Sequence, residues 1–253
     1  MKRQALSRLE VLSVTKRFGG RAAIEDVSFS VSEREFVAVL GPSGAGKTTL
    51  FRCVTGLLAP DRGKVRVAGL DVSTLRGRER RHIAVVFQQF NLVSRLSAFE
   101  NVLAGRLGYV ASWRGLARRF ERADRLLALE CLDRVGLLAH AGQRADTLSG
   151  GQQQRVAIAR ALAQEPDIIV ADEPVSSLDP TISAEILALL HRICREGVSI
   201  LCSLHQVHFA LQFADRIVGL SQGKVAIDTA TADFDREAAN RLYGAPAARG
   251  VES

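Results

Sequence analysis

The sequence predicts an α/β fold: a core with a parallel sheet, an N-terminal antiparallel β subdomain and an inserted α-helical subdomain. Three observations carry this. Residues 37–40, 168–171 and 199–204 are short apolar, β-branched runs, each bounded by glycine or polar residues, as buried strands are. Between the last two, Ile182, Ile186, Leu189, Leu190 and Ile193 recur at helical spacing, so strand, helix and strand follow in βαβ order. From Ala98 to Gln164 the pattern is helical throughout, with a long amphipathic stretch at 120–135 and no convincing strand.

Taken in order, residues 9–31 and 64–72 read as short β segments. The run at 37–40 reads as a strand feeding Gly41, with a helix from Lys47 to about Leu57. The expected division is a core of residues 1–88 and 165–235, a helical subdomain at 89–164, and a tail at 236–253, frayed from Ala245.

Hydrophobic residues make up 47% of the 253 and charged residues 24%, a globular balance that argues against disorder. No run reaches the roughly 18 apolar residues needed to cross a bilayer. The opening Met1-Lys2-Arg3-Gln4 leads into Arg8 and Glu10 instead of an apolar leader, so a cytosolic chain is expected. Cys53, Cys131, Cys194 and Cys202 stand singly, which suits small core residues and not a metal or disulfide framework. The formal charge of +7 would suit nucleic acid or an anionic membrane surface, but the cations are dispersed apart from a modest cluster at 76–81.

Three motifs carry chemistry. Gly41-Pro42-Ser43-Gly44-Ala45-Gly46-Lys47-Thr48, with Thr49 beside it, is a phosphate-binding loop between a strand and a helix. Its glycines let backbone N–H groups curl around phosphates, and the helix dipole favours the same anion. Lys47 is placed to reach the β- and γ-phosphates of ATP, and the Thr48 hydroxyl to ligate Mg²⁺. The strand at 168–171 ends in Asp172 and Glu173: the first suits Mg²⁺, the second a general base toward water. Leu148-Ser149-Gly150-Gly151-Gln152 opens the helical pattern at 153–164, again an anion-binding geometry. A chance match of these five residues belongs to fewer than about one chain in a thousand.

From about Leu9 to Asp228 the sequence resembles the ATP-binding subunits of ABC transporters, P-loop NTPases. The resemblance implies that residues 148–152 are the signature, contacting ATP on a second copy in a head-to-tail dimer. It implies that Gln88 senses Mg²⁺ and water and faces the membrane subunits, and that Ser176-Ser177-Leu178-Asp179 couples the two sites. His205 matches the histidine that contacts the γ-phosphate and orients Glu173, and Phe18 falls where an aromatic stacks on adenine.

Phe87-Gln88-Gln89-Phe90-Asn91-Leu92-Val93, Glu100-Asn101-Val102-Leu103 and the stretch from Trp113 to Phe120 look most like phosphonate-import ATPases. His208 departs, standing where that subfamily often has an acid. The implied partners are a second copy, two transmembrane permease subunits and, indirectly, a substrate-binding protein, at the cytoplasmic face of the inner membrane. Nucleic acid is not expected. DNA-acting ABC ATPases separate the two motifs by a coiled coil or zinc module, whereas Lys47 and Leu148 lie 148 − 47 = 101 positions apart with neither. Other ABC importers and lipoprotein or efflux systems stay open as alternatives.

Overall fold

The computed structural model describes residues 7–109 and 120–243. Trp113 and the stretch from Ala245 lie outside them.

Two sheets form. The first is antiparallel, in the order β2-β1-β4-β5, from β1 (Ser7–Phe18), β2 (Arg21–Ser32), β4 (Arg62–Val67) and β5 (Leu70–Asp71). The short segments expected at 9–31 are in fact two 12-residue strands joined at Gly19-Gly20. Both glycines have positive φ (54° and 82°) and Phe18 pairs with Arg21, the geometry of a tight primed hairpin turn. Leu9, Val11, Ile24, Val27 and Val31 point inward from this sheet and are fully buried.

The second sheet has six strands in the order β10-β9-β3-β8-β7-β6. β3 (Phe36–Leu40), β7 (Ile168–Asp172) and β8 (Ser199–Ser203) are the apolar runs of the sequence, and β6 (Ile83–Val86), β9 (Arg216–Ser221) and β10 (Lys224–Ala230) extend them. Pairing is parallel from β6 through β9, and only β10 is antiparallel. Because β8 sits between β3 and β7, the segments leaving these three strands emerge side by side at one edge. That is where ligands bind in open parallel sheets.

Helix α1 (Lys47–Val54) ends three residues earlier than expected: Gly56, at φ 69°, turns the chain and Leu57 is left exposed. Between β6 and β7 lie α2 (Ala98–Leu103), α3 (Arg122–Arg134) and α4 (Gly150–Leu162), which pack through Val102, Ala128, Cys131, Leu132 and Val156. An ion cluster around the buried Arg106 and Asp124 braces this layer: Arg106 donates to Asp124 at 2.8 Å, to the more exposed Glu165 at 2.6 Å and to the Ala163 carbonyl at 2.9 Å.

After β7 come α5 (Pro180–Glu196) and α6 (Val207–Phe213). The tail expected from residue 236 instead begins as helix α7 (Arg236–Tyr243). Asp235 caps it through the Ala238 N–H at 2.8 Å, and Leu242 is buried against Gly219, where a Cβ would come within 3.0 Å of it. The helix is held by that notch on β9 and by its Asp235 cap. All four cysteines are buried free thiols. No helix among the described residues is long and apolar enough to cross a membrane.

Candidate functional site: a phosphate-binding cleft and an outlying helix terminus

The loop leaving β3 needs glycine where it turns. A Cβ at Gly46, φ 103°, would come within 2.6 Å of the Ala23 carbonyl oxygen, so no other residue fits. Gly46 is also the N-cap of α1, with no side-chain cap and no acidic residue in the first turn. The helix's opening N–H groups are therefore unspent on side chains and point at an anion. Lys47 is 6% exposed, and its Nζ donates to the Gly41 carbonyl at 2.6 Å and to Pro42 at 3.2 Å. Burial holds its ammonium below the usual lysine range, opposed by the nearby Glu173 and Asp172 carboxylates.

This loop floors a cleft of roughly 1310 Å³ lined by Phe18, residues 42–49, Glu173 and His205. Phe18 stands at the end of β1, half exposed, with Lys16 Nζ 5.8 Å from its ring centre.

At the end of β7, the Ser203 hydroxyl bridges two backbone exits. It donates to Asp172 Oδ1 at 2.8 Å and accepts the Glu173 N–H at 2.8 Å. Burial pushes the Asp172 carboxyl above its usual range, against the Ser203 hydrogen bond. Asp172 Oδ2 accepts no hydrogen bond from a described residue. Glu173 has φ 49°, a left-handed conformation uncommon for glutamate, and its Oε1 lies 2.6 Å from His205 Nε2. Lysine, paired carboxylates and histidine thus meet from three adjacent strands.

The other sequence-predicted residues do not join them. Ser149 is the exposed N-cap of α4, in a capping box with Gln152: its Oγ accepts the Gln152 N–H at 3.3 Å and its N–H donates to Gln152 Oε1 at 2.9 Å. Gly151 lies so close to Ile182 that a Cβ would sit 2.7 Å from Cγ2, and Gly150 faces Leu178 and Phe90. Asp179 caps α5 through the Ile182 N–H at 2.9 Å. Gln88 is exposed on the loop after β6, a loop that Arg160 pins through the Asn91 and Phe90 carbonyls. Residues 149–152, Gln88 and Asp179 are not among those that line the cleft.

Sequence reasoning missed Arg21, residues 221–223 and residues 241–243, which wall the cleft, and Ser203, which bridges the Asp172 carboxylate and the Glu173 N–H. A serine ending an otherwise apolar buried strand was the available signal for Ser203.

The model of the ABC transporter family matches residues 24–176. The chain belongs to that family. It is an ABC ATPase whose similar proteins cover nearly all of it. The phosphonates import ATP-binding protein PhnC of Frankia casuarinae is 51% identical over 97% of this chain and 100% of its own length. A protein of the same name from Rhodopseudomonas palustris is 47% identical over 93% and 89%. The hypophosphite import ATP-binding protein HtxD of Stutzerimonas stutzeri is 48% identical over 95% and 72%. Among solved structures, a nucleotide-free ABC transporter cassette matches with TM-score 0.81 at 25% identity, covering 94% of this chain and 100% of that one. A dimeric cassette in a post-hydrolysis state bound to ADP and Pi matches with TM-score 0.73 at 35% identity, covering 88% and 98%. The fold expected from the sequence, an ABC ATPase with its antiparallel and parallel sheets, is the fold observed.

Proposed function

We propose that this ABC ATPase energises uptake of a phosphonate or a related small phosphorus oxyanion through a membrane permease. One observation carries the motor reading: Lys47, Glu173 and His205 line one phosphate-binding cleft, with the Asp172 carboxylate close enough to act on Lys47. The choice of cargo is supported by the phosphonate and hypophosphite importers that the chain resembles at 47–51% identity over most of its length.

In this reading Lys47 and the N–H groups of residues 43–48 hold the β- and γ-phosphates of ATP, with Thr49 behind them, and Phe18 stacks on adenine. The donor set suits Mg²⁺. Among the described residues there is no cluster of three or more His, Cys, Asp and Glu side chains that could cage a metal. A site of one carboxylate, a hydroxyl and substrate phosphates is what Mg²⁺ uses. Thr48 and Asp172 through its Oδ2 would hold it, and Gln88 would join them only when the loop after β6 moves toward the cleft. Bound there, the ion neutralises charge on the phosphoryl group being transferred.

Glu173 acts as general base toward the attacking water, and His205 holds its carboxylate in place. Ser149, Gly150, Gly151 and Gln152 complete the partner's site, and Asp179 lies in the segment that couples the two. Closing of the dimer around ATP moves the permease subunits through Gln88 and residues 90–97. A substrate-binding protein supplies the cargo, with the ATPase peripheral at the cytoplasmic face of the inner membrane.

The test is hydrolysis by the chain reconstituted in liposomes with a phosphonate permease and its binding protein, with and without alkylphosphonate. Stimulation by binding protein and phosphonate together is expected. Activity that ignores phosphonate yet is lost in Glu173→Gln would keep the motor and overturn the cargo. Glu173→Gln should lower hydrolysis by about 10²–10⁴-fold while trapping an ATP-bound dimer. A monomer on size-exclusion chromatography at saturating Mg-ATP would count against the dimer step.

A further inference from the structure

Glu173 occupies a left-handed backbone conformation, φ 49°, which a glutamate keeps only where its surroundings over-determine it. Four residues do so. Ser203 Oγ accepts its N–H at 2.8 Å, the Ser176 N–H donates to its carbonyl at 3.3 Å, and His205 Nε2 meets its carboxylate at 2.6 Å. The fourth arrives from the helical layer. Gln154, fully buried in α4, donates its Nε2–H to the carbonyl of Pro174, the next residue, at 2.7 Å.

The other half of that amide says what it is for. Gln154 Oε1 is buried and has no hydrogen-bond partner among the described residues. An apolar side chain of the same shape would fill the space without leaving a buried acceptor unpaired. Packing alone therefore gives no reason for an amide here, whereas the Pro174 carbonyl requires a donor. Gln154 also lies about one helical turn beyond Gly150, in the helix whose first turn is the Ser149–Gln152 box. One rigid helix thus has its N-terminus at the surface and its second turn bonded to the exit of the catalytic strand.

We infer that Gln154 is a positioning residue that ties the signature helix to the Glu173 of its own chain. The seating of α4 against a partner's nucleotide is thereby felt at the carboxylate of the other site, the one built on the same chain as that helix. The inference rests on the ATP-sandwiched dimer proposed above, and it makes a claim of direction: Gln154 serves hydrolysis in cis, while Ser149 and Gly151 of the same helix serve it in trans.

Mixed dimers separate the two directions. Two tagged versions of the full chain are co-expressed and the mixed species isolated, with one chain carrying Glu173→Gln so that a single site works. In the first arrangement Gln154→Met is placed on the chain with intact Glu173, and in the second on the Glu173→Gln chain. Hydrolysis should fall about tenfold or more in the first, as expected when a reacting group is misplaced by a fraction of an ångström. In the second it should stay within about twofold of the Glu173→Gln/wild-type dimer, with KM for ATP unchanged in both.

A residue that only supports α4 would disturb the signature, so the second arrangement would fall as far as the first or further. That result, or no loss in the first arrangement, overturns the inference. Gln154→Asn keeps an amide but withdraws it by one methylene, and gives the same cis-only loss should the methionine variant fold poorly. Failure of the two tagged chains to form a mixed species at saturating Mg-ATP would instead strike at the dimer reading itself.

Discussion

The two anion-binding helix termini of this chain are built from similar residues and treated oppositely by the fold. At α1, Gly46 gives the helix no side-chain cap, Lys47 is buried beside it, and Glu173 and His205 arrive from neighbouring strands. At α4, Ser149 and Gln152 cap each other, the terminus is exposed, and no catalytic side chain of the same chain approaches it. The first terminus leaves its N–H groups without a side-chain partner; the second satisfies its own. A sheet edge gathers side chains because adjacent parallel strands end together. A helix inserted between β6 and β7 carries its terminus away from that edge. The difference is the physical ground for expecting two copies to pair, each supplying what the other lacks.

The strongest way to break the comparison is to loosen the layer that holds α4 in place. Arg106→Met would leave Asp124 buried without its cation and should destabilise the fold by about 3–4 kcal/mol, read as a shifted urea midpoint. Unchanged stability would mean that the helical layer is braced elsewhere. Lys47→Ala should weaken ATP binding to the isolated chain by roughly 100-fold, about 3 kcal/mol, from the loss of charge-assisted hydrogen bonds to phosphate. Titration with a fluorescent ATP analogue measures this, and retained affinity would mean that the unspent helix N–H groups suffice alone.

Ser149→Arg sharpens the contrast from the other side. In that variant the isolated chain should bind ATP as wild type does, while hydrolysis at saturating ATP falls by more than about tenfold. Weakened binding by the monomer would place the signature in its own chain's site. The smallest effect is expected at Phe18, half exposed and on one wall only. Phe18→Ala should raise the Kd for ATP about fivefold, near 1 kcal/mol of aromatic stacking, and Phe18→Tyr should restore it. An equal loss of GTP and ATP binding with no rescue by tyrosine would argue for a packing role.

Much of the site was legible because its parts are local. The glycine loop, the Asp172-Glu173 pair and the residue 148–152 segment each set a backbone geometry within a few consecutive residues, and each was found where expected. The strands β3, β7 and β8 were legible as well, since burial on both faces leaves an uninterrupted apolar run. By contrast β10 alternates with polar residues at an edge, and α7 is two turns anchored where Leu242 finds the space left by Gly219. Gln154 gave no local signal of its bonding and Ser203 only its place at the end of a buried strand, because their partners lie 20 and 31 residues away in sequence.

The sequence by itself determined the candidate groups for the proposed chemistry: the phosphate loop, the carboxylate pair, the histidine and the capped helix at 149–152. Only the tertiary structure decided their grouping. Strand order β3-β8-β7 places Lys47, His205 and Glu173 around one cleft, while the insertion after β6 keeps Ser149–Gln152 out of it. The reason is one of range: backbone turns and caps are set by neighbours along the chain, whereas strand order is set by which buried faces pack together across the whole fold.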